Sequence, residues 1–182
     1  GLNRVLYKCP HCLTEGSMVG KGTTIKCEKC NHEYELTEYG YLKCLTGEAK
    51  FTHIPDWYKW ERECVKQELE EDKYLLDTDV DIYMLVDTKC LYQVGEGRLT
   101  HNRNDGFNLV GCEGRLKYNQ KASSLYSLNS DFFWYEIGDV IGIGDNEFSY
   151  FCFPKADVSV TKARLATEEL YKMKKKRRTA AI

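Results

Sequence analysis

Two Cys-x-x-Cys pairs, Cys9-Pro10-His11-Cys12 and Cys27-Glu28-Lys29-Cys30, stand 14 residues apart near the start of the chain. In each pair the two-residue gap lets one tight turn aim both sulfurs at a common centre, and two facing turns supply four thiolates in the tetrahedral arrangement that Zn²⁺ takes. That is the spacing of a zinc ribbon, with Cys9, Cys12, Cys27 and Cys30 as the ligands. The segments between and after the pairs are short and β-prone: Met18-Val19, Thr23 to Ile25 and Tyr34 to Leu36, punctuated by Gly16, Gly20 and Gly22. Such a module buries too little apolar surface to fold alone, so the binding energy of the ion becomes folding energy. A closed set of four leaves no position for water, which makes the metal structural and not catalytic. The rival use of Cys-x-x-Cys, a redox pair at a helix N-terminus, calls for one pair in a βαβ setting. Four thiolates around a dication carry a formal −2, which Lys8, Lys26 and Lys29 are placed to offset. His11 and His32 read as surface histidines.

With 182 residues the chain has room for one compact domain and a small satellite such as this ribbon. Nine cysteines, an odd number without an export signal, point to a reducing cytoplasm. No run approaches the roughly 20 apolar residues needed to cross a bilayer. The formal net charge of −2 hides an asymmetry, because six of the 26 basic residues fall within Lys172 to Arg178 and the rest of the chain carries 20 positive against 28 negative side chains, a net of −8. The acidic body argues against broad capture of nucleic acid, and residues 1–50 carry seven basic against six acidic side chains, which is no basic platform. The first residue is Gly1, and the expectation is a piece of a longer protein.

Helical spacing runs from Pro55 to about Glu71, with Trp57, Trp60 and Cys64 on one side and Val65 and Leu69 widening the stripe. Pro55 suits a first turn, and Asp56 adds favourable charge there. The period then changes to two. Val80, Ile82, Met84 and Val86 alternate with Asp79, Asp81, Tyr83 and Leu85, and further short strands are predicted at Cys90 to Val94, Arg98 to His101, Phe107 to Val110, Arg115 to Tyr118, Ser124 to Leu128, Phe132 to Ile137, Val140 to Ile143 and Glu147 to Phe153. Asn104-Asp105-Gly106 and Glu113-Gly114 supply turns. Helical spacing returns from about Val158 to Lys174, with Ala163, Ala166, Leu170 and Met173 on one face. The expected fold is α+β: a zinc ribbon (1–50), a linking helix and acidic connector (51–78), an antiparallel β-rich body of pleckstrin-homology or GRAM-like pattern closed by a C-terminal helix (79–174), and a basic tail (175–182).

Several chemistries are missing. Gly16 to Gly22 imitates a phosphate loop but has three residues between its glycines where four are needed, and reads as the ribbon's first hairpin. Gly95-Glu96-Gly97 and Gly142-Ile143-Gly144 lack the third glycine of a dinucleotide fingerprint and read as strand-end turns. His53 and Cys64 have no third group to orient them, and Cys64 reads as a buried apolar residue. Arg98, Arg103, Arg115 and Lys117 are a thin basic set for a lipid reader. None of the four histidines has an acid five positions on, since Gly16, Thr37, Tyr58 and Gly106 stand there, and no GxSxG or HExxH occurs.

The pairs CPHC and CEKC, followed by Tyr34-Glu35-Leu36-Thr37-Glu38-Tyr39-Gly40, Phe51-Thr52-His53-Ile54-Pro55-Asp56-Trp57-Tyr58, Val94-Gly95-Glu96-Gly97-Arg98-Leu99 and Leu165-Ala166-Thr167-Glu168-Glu169-Leu170-Tyr171, resemble the region that follows the catalytic domain in clostridial proteins of the 1-acyl-glycerol-3-phosphate acyltransferase type. The resemblance spans nearly the whole chain. It implies a cytoplasmic, non-catalytic accessory region whose partner is an upstream acyltransferase domain bearing the histidine and aspartate of acyl transfer. It also places the chain beside the inner membrane face, where Lys172, Lys174, Lys175, Lys176, Arg177 and Arg178 can approach anionic headgroups, each charge being worth about 1 kcal/mol. The alternatives are a nucleic-acid- or protein-binding ribbon module and a self-contained enzyme using the interior of the β-rich body.

Overall fold

The computed structural model describes residues 1–86, 90–145 and 147–180, the side chains of Arg177, Arg178 and Ala180 excepted. The chain divides into two compact units, Gly1–Val65 and Lys66–Ile182. The division falls inside a helix expected to link them, so the first three turns of that helix belong with the ribbon.

The first unit opens on a single helical turn, α1 (Leu2–Val5), and continues into a four-stranded antiparallel sheet of β1 (Met18–Lys21), β2 (Thr24–Cys27), β3 (Glu33–Leu36) and β4 (Leu42–Cys44), in that order. Gly22, at φ +58°, turns β1 into β2, which makes the false phosphate loop a hairpin as expected. Both α1 and β4 are too short to leave a periodic signal. The helix α2 (Ile54–Glu70) buries Trp57, Glu61, Val65 and Leu69, a row at four-residue spacing, while Trp60 and Cys64 are half-buried. The expected stripe through Trp57, Trp60 and Cys64 is therefore rotated by part of a turn, and Cys64 is not a fully buried residue. Trp57 meets Tyr34 edge-on at 5.2 Å between ring centroids, joining Leu6, Met18, Ile25 and Leu42 in the core of this unit.

The second unit is one seven-stranded antiparallel sheet. Its strands are β5 (Leu75–Val86), β6 (Cys90–Asn102), β7 (Gly106–Gly111), β8 (Leu116–Gln120), β9 (Asn129–Trp134), β10 (Gly138–Gly144) and β11 (Ser149–Pro154), in the order β8-β7-β6-β5-β11-β10-β9. The first strand thus pairs with the last, and α3 (Val160–Ala180) follows and packs on β9 and β10. This is the α+β plan expected, a β-rich body with a C-terminal helix. Along β5 the side chains alternate, with Leu76, Thr78, Val80 and Ile82 buried, as a half-buried strand requires.

Five expectations need correction. Cys90 to Val94 and Arg98 to His101 are not two strands but parts of the continuous β6. Its glycines are not a turn: a Cβ on Gly97 would collide with the carbonyl oxygen of Val110 and lie 2.8 Å from Gly111 Cα and 2.9 Å from Ile82 Cδ1. Glycine is required there because Ile82 packs through the space. Ser124 to Leu128 is a turn rather than a strand, closed by Ser124 N–H donating to Lys121 O at 3.0 Å and by Gln120 Nε2 donating to Ser124 Oγ at 2.9 Å. The strand expected over Phe132 to Ile137 stops at Trp134, because Phe133, Tyr135 and Glu136 take φ between +50° and +59°. Finally, α3 does not end near Lys174 but carries the basic run as helix to Ala180.

Candidate metal centre

Each Cys-x-x-Cys pair folds into the same knuckle. Cys9 N–H donates to Thr14 O and Cys27 N–H to His32 O, both at 2.9 Å; Leu13 N–H closes back on Cys9 O at 2.9 Å and Asn31 N–H on Cys27 O at 2.8 Å. The residue after the second cysteine takes a left-handed conformation in both, Leu13 at φ +61° and Asn31 at φ +63°. Asparagine tolerates that region; leucine does so at a cost. β2 ends at Cys27, so one sulfur is carried by the sheet itself.

The two knuckles face each other. The four sulfurs lie within 4.8 Å of one another, with Cys9 Sγ 3.5 Å from Cys30 Sγ and Cys12 Sγ 3.6 Å from Cys27 Sγ. Tetrahedral metal–sulfur bonds of about 2.3 Å demand S–S edges of about 3.8 Å, so the residues present fit a four-coordinate divalent ion with little adjustment. All nine cysteines are unbridged. The thiols share protons unevenly. Burial, together with neighbouring thiols, pushes Cys9 and Cys30 up. At Cys12 burial is outweighed by the Thr14 hydroxyl and amide and by the Cys27 and Cys9 thiols, which hold it down at about 6. Cys27 is likewise lowered, by Ser17 Oγ and the amides of Cys30 and Lys29 acting against burial. Four close thiols cannot all ionise alone, and a dication removes that conflict.

Hydroxyls and the helix complete the surroundings. Ser17 Oγ lies 3.3 Å from Cys27 Sγ and Thr14 Oγ1 3.4 Å from Cys12 Sγ, each able to donate to a thiolate. One residue before Cys9, the backbone of Lys8 is gripped from α2: its N–H donates to Glu61 Oε1 at 2.9 Å, and its carbonyl accepts from Trp57 Nε1 at 3.0 Å. Trp57 and Glu61 stand one turn apart on the same helical row. Glu61 is 0% exposed, its Oε2 has no hydrogen-bond partner, and burial raises its carboxyl to about 8. Sequence reasoning missed this residue. The signal was an acid four positions after a buried tryptophan, a place where a surface glutamate is the ordinary expectation.

His11 and His32, read as surface histidines, are half-buried. Their rings stack with centroids 3.6 Å apart and 8° between planes, and His11 Nε2 lies 2.6 Å from the Tyr34 hydroxyl. Neither belongs to the four-thiol cluster. His53 is bonded to Thr52 at 3.0 Å and pairs with Asp56. Three of the thin basic set are engaged, Arg98 with Asp77 and Asp79, Arg103 with the carbonyls of Leu69 and Glu70 at the end of α2, and Arg115 with Glu113 and Cys112 O, while Lys117 is exposed. In the basic run, Lys172 pairs with Glu169 at 2.7 Å, Lys175 and Lys176 are exposed and Lys174 is half-buried. The side chains of Arg177 and Arg178 lie outside the described residues. No described helix is long and apolar enough to cross a membrane. The chain matches no protein-family model, no curated protein and no solved structure.

Proposed function

We propose that this chain is a non-catalytic accessory region of a glycerophospholipid acyltransferase, braced by a structural Zn²⁺ on Cys9, Cys12, Cys27 and Cys30. The observation that carries the first half of this reading is the closed set of four sulfurs at near-tetrahedral separations. A metal there has its positions filled by protein, so it supplies rigidity and not a water nucleophile. Ser17 and Thr14 help neutralise the thiolates, while Trp57 and Glu61 fix the strand entering the first knuckle. The second half rests on the resemblance given above and on the helical basic run. With Lys172 paired to Glu169, the exposed Lys175 and Lys176 are the described charges that this reading offers to an anionic cytoplasmic membrane face.

The test is the full parent protein. The reading frame upstream is expected to encode a domain with histidine and aspartate in an HxxxxD arrangement, and acyl transfer to 1-acylglycerol 3-phosphate is expected to fall when residues 1–182 are deleted, with the same loss for the Cys9→Ser/Cys27→Ser protein. An upstream frame without that motif, or acyl transfer by this chain on its own, would overturn the reading.

A further inference from the structure

Most cations of the second unit are tied to carboxylates or carbonyls, and of the lysines that are not, two converge on one cavity. Lys121 and Lys174 make no ion pair among the described residues, and they come together at a surface cavity of about 410 Å³. They arrive from different places, Lys121 from the segment leaving β8 and Lys174 from α3. The opposite wall is the β6–β7 turn with Asn104 and Asp105, and Asn119 and Ser123 complete the polar lining.

The cavity is built and not merely left over. Asn102 Oδ1 accepts the N–H groups of Asn104 and Asp105, both at 2.9 Å, while its Nδ2 holds Asp105 Oδ2 at 3.0 Å. Asn119 Nδ2 bonds to Asp105 O, Phe107 O and Asn108 Oδ1 at 2.8 to 3.1 Å, clamping β8 to the turn. Gly106, at φ +75°, lets the turn approach the segment after β8: a Cβ there would strike the carbonyl oxygen of Gln120 and come within 2.6 Å of Ala122 N. A rigid polar wall therefore faces two unpaired ammonium groups.

That combination selects its ligand. Two ammonium groups with a hydroxyl and a side-chain amide suit a phosphate, which lysine binds as a point charge. The Asp105 carboxylate, already oriented by Asn102, would repel a bare anion and accept hydrogen bonds from a hydroxyl. A volume of this size is in the range of small-molecule sites. We propose that this cavity binds a phosphorylated polyol, its phosphate between Lys121 and Lys174 and a hydroxyl on Asp105. The proposal stands apart from the acyltransferase reading, since it needs neither the metal nor an upstream domain.

The test uses the whole ¹⁵N-labelled chain, titrated with inorganic phosphate and with glycerol 3-phosphate at constant ionic strength. Saturable shifts are expected at Asn104, Asn119 and Ser123, with glycerol 3-phosphate binding more tightly than inorganic phosphate. Affinity should fall roughly tenfold or more in Lys121→Ala/Lys174→Ala and stay unchanged in Lys175→Ala/Lys176→Ala. Sedimentation with phosphatidylcholine vesicles containing about one-fifth phosphatidic acid separates the two sources of the ligand. Vesicle binding that needs Lys121 and Lys174 and is competed by glycerol 3-phosphate identifies a lipid headgroup; soluble binding that vesicles do not compete identifies a free ester. The proposal is overturned if millimolar ester gives no saturable shift and no vesicle binding depends on Lys121 and Lys174, or if both double variants weaken binding equally, which is diffuse attraction to the helix.

Discussion

Leu13 closes the first knuckle in a left-handed conformation, with 61% of its surface exposed. Its side chain recovers little by burial, so the backbone strain of about 1 kcal/mol is uncompensated. Replacing it with the residue found at the equivalent place in the second knuckle, Leu13→Asn, should stabilise the first unit by about 0.5 to 1 kcal/mol, read as a higher midpoint in urea; an unchanged or lower midpoint contradicts the strain. Glu61 makes a pH-dependent contribution of the opposite kind to most carboxylates. Its folded pKa of about 8 lies above the ordinary 4.5, so the folded chain holds a proton that the unfolded chain releases. That stability is complete below pH 4.5 and is lost as pH rises toward and through 8, with a slope of at most about 1.4 kcal/mol per unit. Glu61→Gln keeps a neutral acceptor for Lys8 and should remove this slope, measured as the difference between the two proteins so that thiol titration cancels. His101 has the reverse sign. It is buried against Phe107, bonded to Tyr74 at 3.0 Å, and burial lowers it to about 3. The second unit should therefore lose stability as pH falls below 6.5 toward 3, and His101→Phe should flatten that loss in near-ultraviolet circular dichroism; an equal acid loss in both proteins contradicts it.

Among the elements, those legible in the sequence were those with one dominant local cause. The cysteine spacing, the alternation of β5 and the Asn104-Asp105-Gly106 turn each announce themselves within a few residues. β6 does not, because Gly95 and Gly97 carry the ordinary meaning of a turn, and their real role depends on Ile82 and Gly111 lying opposite. Gly97→Ala tests that role: a methyl wedged against Val110 O and Ile82 should cost about 2 kcal/mol or more, lowering the unfolding midpoint of the second unit, whereas a silent substitution would mean that β6 tolerates a side chain there. The same blindness to partners explains Ser124 to Leu128, whose apolar residues suggested a strand while Gln120 and Lys121 hold a turn. On α2 the period was read correctly and its phase was not, since a buried glutamate is legible only once the Lys8 backbone lies against it.

At the scale of the molecule, the candidate metal site was legible almost residue for residue, because coordination geometry restricts cysteine spacing more tightly than packing restricts apolar sequence. The polar cavity was not, because Lys121 and Lys174 lie 53 positions apart and only the fold brings them to one place. The first unit owes its order to a core of few residues around the four thiols, and the second to a full sheet and helix. Native mass spectrometry with elemental analysis, followed by hydrogen exchange under strong chelation, measures this most directly. One zinc ion per chain is predicted, and removing it should release protection throughout residues 1–65 while β5, β6 and β11 stay protected. A purified chain with no tightly held metal, or a first unit that keeps its protection after chelation, contradicts the four-thiolate brace.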